Sequence, residues 1–396
     1  MPTGTQYFIF GEMLKSIKFV DSSELMEYCQ VAFPGWTIKE AIREEPPILT
    51  VTRTSHSYQI EGYWLDKPIH RVDKVDAICG LVAEVIRAYV REDSQLLCLH
   101  GASAEFAGKL VVFPSQYRSG KSVLSACLAA IGIQLYGDDV LPISLSDGEG
   151  IAPGLAVRLR RPLPENLASE SLDFINNHTG LRGRNYQYLD LENSQLAAKG
   201  SRAEIGAFVL LEREEGAGVA FEEVSEADVL RQVVWQNFAR EAEAPRILEV
   251  LSQLVASSQY YRLRFDKTED AVQLLLEKFK SWPDKANYLN RELAQSVVDN
   301  EHALLPGYFL RKSETSVIQL GDDSFIADRE GAAIHHLNII GTAIWTLLAE
   351  PVQIDEMIEL LMAAFPEIDA DSTREDVTVL INELVDKGLL LTGSDA

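Results

Sequence analysis

A strand-like apolar run, a short loop and a helix-like run follow one another in FPSQYRSGKSVL, residues 113–124. Gly120, Lys121 and Ser122 stand where the helix begins, so backbone N–H groups and the positive end of the helix dipole would face an anion. In loops of this kind the lysine reaches the β and γ phosphates and the serine hydroxyl binds Mg²⁺. The triplet is common by itself, and its position between strand and helix is what predicts nucleotide binding.

The loop departs from the usual GxxxxGK[ST] pattern at its start. Ser115 stands where the first glycine is expected. Gln116, Tyr117 and Arg118 are bulky where small residues are common, and such side chains can crowd a phosphate or restrict the backbone. Ser119 completes the segment. Two interpretations stay open on these grounds, a phosphate-binding loop and a plain turn between strand and helix.

An acidic pair follows sixteen residues after Ser122, where Asp138 and Asp139 end the next strand pattern. Adjacent side chains on a strand point to opposite sides, so one carboxylate can face the phosphates and the other the attacking nucleophile or the metal. The alternative is a solvated turn, because Gly137 and the two aspartates are also good turn formers. His100 ends an earlier strand pattern, and a structural role is the alternative for it.

The apolar patterns predict a mixed architecture. Strand, loop, helix and strand alternate in the centre of the chain, which favours an α/β sheet. There LLCLHGA and KLVVFPS are predicted strands joined by a short link, and IQLYGDDVLPI is predicted as one further strand. The predicted parts are an α+β segment over residues 1–95, the α/β core over 96–282, a linker over 283–304 and a separate domain over 305–396.

Three strand patterns precede three helix patterns in the last domain, which predicts a small α+β fold of winged-helix size. GYFLRK, SVIQLG and SFIADREGAAIHHLN are the strands. Asn338 is placed to cap the first helix. Ser372 and Glu375 are expected to form a capping box for the last helix, and Gly388 to end it.

Charge and composition limit the partners of this chain. Its 396 residues include 60 Asp and Glu against 36 Lys and Arg, a net charge of −24 that would repel nucleic-acid phosphates. No apolar run is long enough to cross a membrane, and the first residues lack the pattern of a secretory signal. The four cysteines have no metal-binding spacing. A cytoplasmic protein that binds neither nucleic acid nor membrane is expected.

The stretch from LHGASAEF to DDVLPI, residues 99–143, resembles the core of the HPr serine kinase/phosphorylase family in the order and spacing of HG, phosphate loop and DD. The resemblance implies a P-loop kinase core of the type shared by HPr kinases and phosphoenolpyruvate carboxykinases. Weaker similarity extends over most of residues 1–280. The family sequence LEIRGLG is absent, and LAVRLRRPLP stands in its place, so Arg158, Arg160 and Arg161 are only candidate cationic clamps.

The same resemblance implies ATP and Mg²⁺ as cofactors and gives roles to individual residues. Lys121 and Ser122 would bind phosphate, and Ser122 would also bind the metal. Asp138 would be the base near the acceptor hydroxyl, with Asp139 as its metal-side partner. His100 would assist the base.

The C-terminal stretch resembles the PqqD-like family of precursor-peptide recognition domains. The resemblance is carried by the strand that ends at Leu337-Asn338 and by Gly341, Ala343, Ile344 and Trp345. A winged-helix domain for dimerisation or DNA binding is the alternative, and the acidic charge disfavours DNA. The resemblance implies that a leader peptide adds as a strand beside the third strand and against the last helix. The residues expected there are Phe325, Ile326, Ala327 and Asp328 on the strand, and Val377, Leu380, Ile381 and Leu384 on the helix.

Together these features predict an ATP-dependent kinase that phosphorylates a Ser or Thr hydroxyl of a ribosomally made precursor peptide, recruited through its leader. Other peptide-modifying enzymes are further candidate partners, and an oligomer is compatible with the sequence. The alternative is a peptide-binding chaperone without catalysis, or gated by nucleotide, in which the altered phosphate loop no longer supports transfer.

Overall fold

The computed structural model describes residues 4–42, 46–114, 119–239, 241–283, 304–313, 315–328 and 333–393, together with the backbone of 294–295. For residues 370–371 it describes the backbone alone. The chain divides into two compact units. One consists of Met1–Ser225, Trp235–Glu241 and Leu254–Tyr288, and the other of Glu226–Val234, Ala242–Gln253 and Leu289–Ala396. The bounds of the four predicted parts stay a prediction.

The first unit begins with a six-stranded sheet of order β3-β1-β2-β4-β5-β6, covered by a long helix. Its elements are β1 (Thr5–Phe10), β2 (Ile17–Val20), a 3-10 turn (Ser23–Leu25), α1 (Met26–Ala32), β3 (Ile38–Glu40), β4 (Leu49–Arg53), β5 (Tyr58–Gly62), β6 (Ile69–Arg71) and α2 (Lys74–Arg91). The helical spacing of five apolar residues predicts a helix over about Val75–Val90, and that helix is α2; the residues are Val75, Ile78, Val82, Val85 and Tyr89. Asp73 begins it by accepting hydrogen bonds from the N–H groups of Val75 and Asp76.

The α/β part of this unit contains two sheets that meet at the candidate site. Its elements are β7 (Leu96–His100), β8 (Ala102–Phe106), β9 (Lys109–Phe113), α3 (Lys121–Ala130), β10 (Leu135–Gly137), β11 (Val140–Ser144), β12 (Gly150–Ile151), β13 (Arg158–Arg160), α4 (Ser169–Asn177), β14 (Thr179–Arg182), β15 (Tyr186–Leu189), β16 (Arg202–Ala203), β17 (Ile205–Arg213), β18 (Ala220–Glu222), α5 (Glu226–Gln236), α6 (Ala244–Ser257), β19 (Gln259–Phe265) and α7 (Thr268–Lys278). Residues of α5 and of α6 belong partly to each unit.

A six-stranded sheet has the order β10-β8-β9-β17-β19-β18, and a four-stranded sheet the order β16-β12-β11-β7. Strands β9, β17 and β19 run parallel, as expected of a sheet with helical crossovers. A smaller sheet has the order β13-β15-β14. Buried residues of the parallel strands, of α3 and of α7 form one continuous apolar core. The predicted α/β class is confirmed.

Two strand predictions in this region are wrong. The predicted strands at LLCLHGA and KLVVFPS are not joined by a short link, because Ala102–Phe106 forms the additional strand β8 between them and pairs with β9. The predicted single strand IQLYGDDVLPI is two strands. β10 pairs with β8 in one sheet, and β11 pairs with β7 in the other. The acidic pair therefore lies where the chain passes from one sheet to the next.

The C-terminal part of the second unit has strands followed by helices, as predicted. Its elements are β20 (Ala294–Gln295), β21 (Phe309–Arg311), β22 (Ser316–Leu320), β23 (Asp323–Ala327), β24 (Ile334–Leu337), α8 (Ile339–Leu347), α9 (Ile354–Ala364), α10 (Ala370–Asp386) and β25 (Leu390–Thr392). The prediction of three strands is wrong, because SFIADREGAAIHHLN contains both β23 and β24, which pair antiparallel. The sheet has the order β20-β22-β23-β24, and β21 pairs with β25 instead.

The three helices of this part enclose an apolar core around Trp345. The predicted cap of α8 is confirmed, since the Asn338 side chain accepts from the N–H of Gly341 over 3.0 Å. The predicted capping box is wrong. The last helix begins earlier, and its cap is Asp369, whose carboxylate accepts from the N–H of Ser372. Gly388, at φ +69°, ends it as predicted.

Among the described helices, none is both long enough and apolar enough to cross a membrane.

Candidate functional site

The predicted phosphate loop leads from β9 into the first turn of α3. Ser115, Gln116, Tyr117 and Arg118 lie outside the described residues. Gly120 has a φ of +93°, a left-handed conformation that favours glycine, and the helix begins at the next residue. The first N–H groups of α3 therefore have no partner within the helix, as in an anion-binding helix terminus.

The helix end of this loop carries polar groups suited to a phosphate. Lys121 is 7% exposed. Burial lowers its pKa, while the carboxylates of Asp139 and Asp138 oppose that shift, so the ammonium belongs to a local charge cluster. The Ser119 hydroxyl is buried and lacks a hydrogen-bond partner in the described part of the chain. A bound phosphate oxygen is an acceptor that would satisfy it.

Asp138 and Asp139 occupy the bend between β10 and β11. The bend is tight, because a side chain at Gly137 would place its Cβ 2.6 Å from the carbonyl oxygen of Val140. The two carboxylates have different surroundings. Asp138 is buried, and the side chain of Asp139 is 31% exposed.

Asp138 forms hydrogen bonds with β13 and with the start of α3. Its carboxylate accepts from the backbone N–H of Arg158 over 3.2 Å and from the side chain of Ser122. Burial, with the neighbouring Asp139 carboxylate second, raises the pKa of Asp138 to about 7, and these hydrogen bonds oppose the rise. A carboxylate with a pKa near neutrality can take up a proton during a reaction and release it afterwards.

Arg158 and His100 flank the more exposed carboxylate. The Arg158 guanidinium donates to Asp139 Oδ2 over 2.7 Å and to the Sγ of Cys79 over 2.9 Å. His100 Nε2 lies 3.6 Å from Asp139 Oδ1. Burial lowers the pKa of His100, and the nearby Asp139 carboxylate opposes that shift. Cys79 of α2 carries no sequence signal, since a lone cysteine without metal-binding spacing does not indicate a site.

The structure separates the three candidate arginines. Arg158 contacts both members of the acidic pair. Arg160 lies over the ring of Tyr186 at 5.7 Å, and Arg161 donates to the carbonyl of Gly183 over 2.8 Å.

The described residues do not form a metal site by themselves. No group of three or more His, Cys, Asp or Glu side chains among them could hold a metal ion. Ser122 and Asp139 are oxygen donors of the kind that Mg²⁺ accepts, and Mg²⁺ is usually bound through one or two protein ligands together with substrate phosphates. These residues therefore fit Mg²⁺ in company with a nucleotide.

The predicted peptide-binding strand is not an edge, so that expectation is wrong. Strand β23 pairs with β22 on one side and β24 on the other, and Phe325, Ile326 and Ala327 are fully buried. The cause is the reading of two strands as one. Among the described strands of this sheet, β24 is the one at the end of the order beside β23.

The hydrogen-bond pattern identifies which residues of β24 face outward. The N–H of Asp328 donates to the carbonyl of Ala333, so this opposed pair is a hydrogen-bonded one. Hydrogen-bonded and non-hydrogen-bonded pairs alternate along antiparallel strands. His335 and Leu337 therefore pair inward with β23, and Ile334 and His336 direct their backbone groups to the other side.

The predicted helix residues differ in exposure. Val377, Ile381 and Leu384 are buried in the apolar core of the C-terminal part, whereas Leu380 is partly buried and packs against that core.

Residues 324–390 match the family model described as coenzyme PQQ synthesis protein D (PqqD). The predicted PqqD-like resemblance of the C-terminal part is thereby confirmed. No curated protein matches the chain.

Two solved structures are similar to parts of the chain. One is TbiB1 in complex with the TbiA(beta) leader peptide, at 20% identity and a TM-score of 0.20, over 22% of this chain and 99% of that one. The other is the HPr(Ser) kinase/phosphatase from Coxiella burnetii, at 14% identity and a TM-score of 0.24, over 46% of this chain and 93% of that one. At these TM-scores neither likeness supports a conclusion about function.

Proposed function

We propose that this chain is an ATP-dependent kinase that phosphorylates a Ser or Thr hydroxyl of a ribosomally synthesised precursor peptide. The observation that carries the proposal is the environment of Asp138. This carboxylate is buried, has a pKa near 7, and is bonded to Ser122 at the start of α3. A base for the acceptor thus stands beside the residues suited to hold the donor phosphates.

The proposed reaction assigns each step to a residue. When bound, ATP with Mg²⁺ supplies the γ-phosphoryl group and neutralises charge that develops during transfer. Asp138 accepts the proton of the acceptor hydroxyl as its oxygen forms the new bond to phosphorus. The bond from that phosphorus to the β–γ bridging oxygen breaks, and ADP leaves. Lys121 stabilises the charge on the phosphates, and Arg158 holds Asp139 in position.

The C-terminal part recruits the peptide in this proposal. The match of residues 324–390 to the PqqD family model supports a role in a peptide-modification pathway. A leader peptide would add as a strand to β24, with backbone hydrogen bonds to the outward groups of Ile334 and His336. Binding the leader in the same chain raises the effective concentration of the core peptide at the kinase site.

A second candidate is a chaperone that binds the leader and performs no transfer, with or without gating by nucleotide. The sequence from Ser115 to Arg118 favours it, because bulky side chains replace the small residues of an ordinary phosphate loop.

Two measurements on the full chain separate these functions. Calorimetry with ATP and Mg²⁺ tests nucleotide binding, and transfer of ³²P from labelled ATP to peptides encoded beside the gene tests turnover. Binding with transfer supports the kinase. Binding without transfer supports a nucleotide-gated chaperone. If the protein does not bind ATP at millimolar concentration, a chaperone that does not use nucleotide is supported.

A further inference from the structure

A cavity of about 420 Å³ opens beside the acidic pair. One end is polar and is lined by His100, Asp138, Asp139 and Arg158. The rest is mostly apolar, and Ile86 of α2, Leu155 and Phe238 are among its walls. Its volume lies within the range of roughly 300–1,000 Å³ that is usual for ligand pockets. A serine or threonine side chain at the polar end would fill only a small part of this space.

Tyr188, one of the residues that line the same cavity, has a hydroxyl without a hydrogen-bond partner among the described residues. Tyr188 of β15 is 1% exposed, and its Oη is buried and accepts or donates no hydrogen bond within the described part of the chain. Burial raises the pKa of Tyr188 well above its ordinary value, so the hydroxyl keeps its proton. An unsatisfied buried hydroxyl costs folding free energy. A protein that retains one at the wall of a cavity gains when a ligand supplies an acceptor.

We infer that this cavity binds a large apolar side chain next to the phosphorylated residue, and that the Tyr188 hydroxyl donates a hydrogen bond to a backbone carbonyl of the same peptide segment. The inference rests on the proposed function for the identity of the acceptor. It adds the class of sequence that the site selects, namely a serine or threonine flanked by a residue such as phenylalanine or leucine.

The walls explain why the flanking residue is apolar. A lysine or glutamate would lose its hydration against Ile86, Leu155 and Phe238. Two arginines line the cavity, and both already have partners, since Arg158 donates to Asp139 and Cys79 and Arg87 donates to Glu84. An apolar side chain instead removes its own surface and that of the walls from water.

Direct binding tests the cavity without requiring turnover. Full-length protein is titrated with acetylated tetrapeptide amides that carry one serine and, on either side of it, phenylalanine, leucine, glycine or lysine. Trp235 lines the cavity and is 71% exposed, so its fluorescence reports occupancy, and Trp235→Phe identifies the signal. The phenylalanine and leucine peptides are expected to bind at least about tenfold more tightly than those with glycine or lysine.

Two tyrosine variants form a matched pair. Tyr188→Phe removes only the unpartnered hydroxyl, so we expect an unchanged or higher melting temperature and an affinity for the phenylalanine peptide that is about five- to tenfold lower. Tyr58→Phe removes a hydroxyl that donates to Glu24 over 2.8 Å in the first sheet. It is expected to lower the melting temperature and to leave peptide binding unchanged.

A substitution at the mouth of the cavity provides a second test. Ala83 lines the cavity on the exposed side of α2, and Ala83→Trp would obstruct it without disturbing a buried position. Peptide binding is expected to fall at least about tenfold, whereas Ala83→Ser leaves it close to wild type.

The outcomes distinguish this inference from the proposed kinase. Equal binding of all peptides, or binding that neither Tyr188→Phe nor Ala83→Trp weakens, overturns the inference even if the protein is a kinase. Selective binding that both variants weaken supports the inference. If a peptide bound in this way is never phosphorylated, the kinase proposal fails and the inference stands. Where turnover occurs, Tyr188→Phe should raise the peptide KM more than it lowers kcat.

Discussion

The guanidinium of Arg158 lies 2.7 Å from Oδ2 of Asp139, and the backbone N–H of the same arginine donates to Asp138. One residue therefore positions both members of the acidic pair, one through its side chain and the other through its main chain. A substitution of the side chain can disturb Asp139 and leave the bond to Asp138 intact.

Arg158→Lys tests this separation. The three donors of a lysine side chain all lie on one nitrogen, so lysine cannot contact both Asp139 and Cys79 as the planar guanidinium does. We expect kcat for peptide phosphorylation to fall roughly 100-fold, as for other small misplacements of reacting groups. Arg161→Lys is the matched control, because Arg161 donates to the Gly183 carbonyl instead. Equal loss in both variants would show that the effect is not specific to Asp139.

Lys121→Ala tests the phosphate site. The variant removes a nearly buried ammonium from the start of α3, and we expect the affinity for ATP with Mg²⁺ to fall at least about tenfold in calorimetry. Circular dichroism checks that the fold persists. Lys109→Ala, which breaks a pair with Glu204 at the other end of β9, serves as the control. Wild-type affinity in Lys121→Ala would remove this residue from the nucleotide site.

Asp138→Asn separates chemistry from stability. The amide cannot accept the proton, so phosphoryl transfer should be lost while ATP still binds. The folded-state pKa of Asp138 is raised from 3.8 to about 7, so the stability that this group contributes is present below pH 3.8 and is lost as the pH rises through 7. The nucleotide-free variant should therefore melt higher than the wild type at pH 8, with a smaller gain at pH 5. Full turnover in Asp138→Asn would make Asp139 the next candidate base.

His336→Pro tests the proposed leader-binding edge. Proline removes the outward N–H of β24 and is tolerated at an edge strand. We expect at least about tenfold weaker binding of a leader peptide in fluorescence polarisation. His336→Ala is the control, because it loses the side-chain contact with Asp323 but keeps the N–H. If proline and alanine weaken binding to the same extent, backbone pairing at this residue is not the cause.

Asn338→Ala tests the cap of α8. Loss of the bond to the Gly341 N–H should reduce the free energy of unfolding by about 1 kcal/mol, and Asn338→Asp should retain most of it. Denaturant titration at neutral pH measures both. A loss as large in the aspartate variant would assign the effect to packing rather than to capping.

Local patterns were sufficient to predict part of the fold and the site. The apolar periodicity of α2, the glycine that ends α10 and the capping asparagine of α8 act within a few residues, so each is visible in sequence. The position of Lys121 and of the acidic pair followed from the same local order of strand, loop and helix. Their predicted chemical roles stay a proposal.

What escaped prediction depends on long-range pairing. Strand β8 is bounded by Gly101 and by a turn in which Ala107 and Gly108 adopt positive φ values of +46° and +85°. Its pairing with β9 and β10 is what the local patterns did not show. The split of β23 from β24 had a usable signal, because Asp328 and Gly331 are turn-forming residues within the run. The isolated hydroxyl of Tyr188 has none, since lack of a partner is a property of the folded core.

The bend from Gly137 to Val140 also connects the two sheets of the α/β part. Strand β10 belongs to the sheet whose β9 leads into the phosphate loop, and β11 belongs to the sheet whose β7 ends at His100. Because a side chain at Gly137 would collide with the carbonyl oxygen of Val140, the connection between the two sheets is tight there. The acidic pair therefore stands on the direct chain connection between the sheet that leads into the phosphate loop and the sheet that ends at His100. The side chains proposed for the donor and for the acceptor thus share one short segment of backbone.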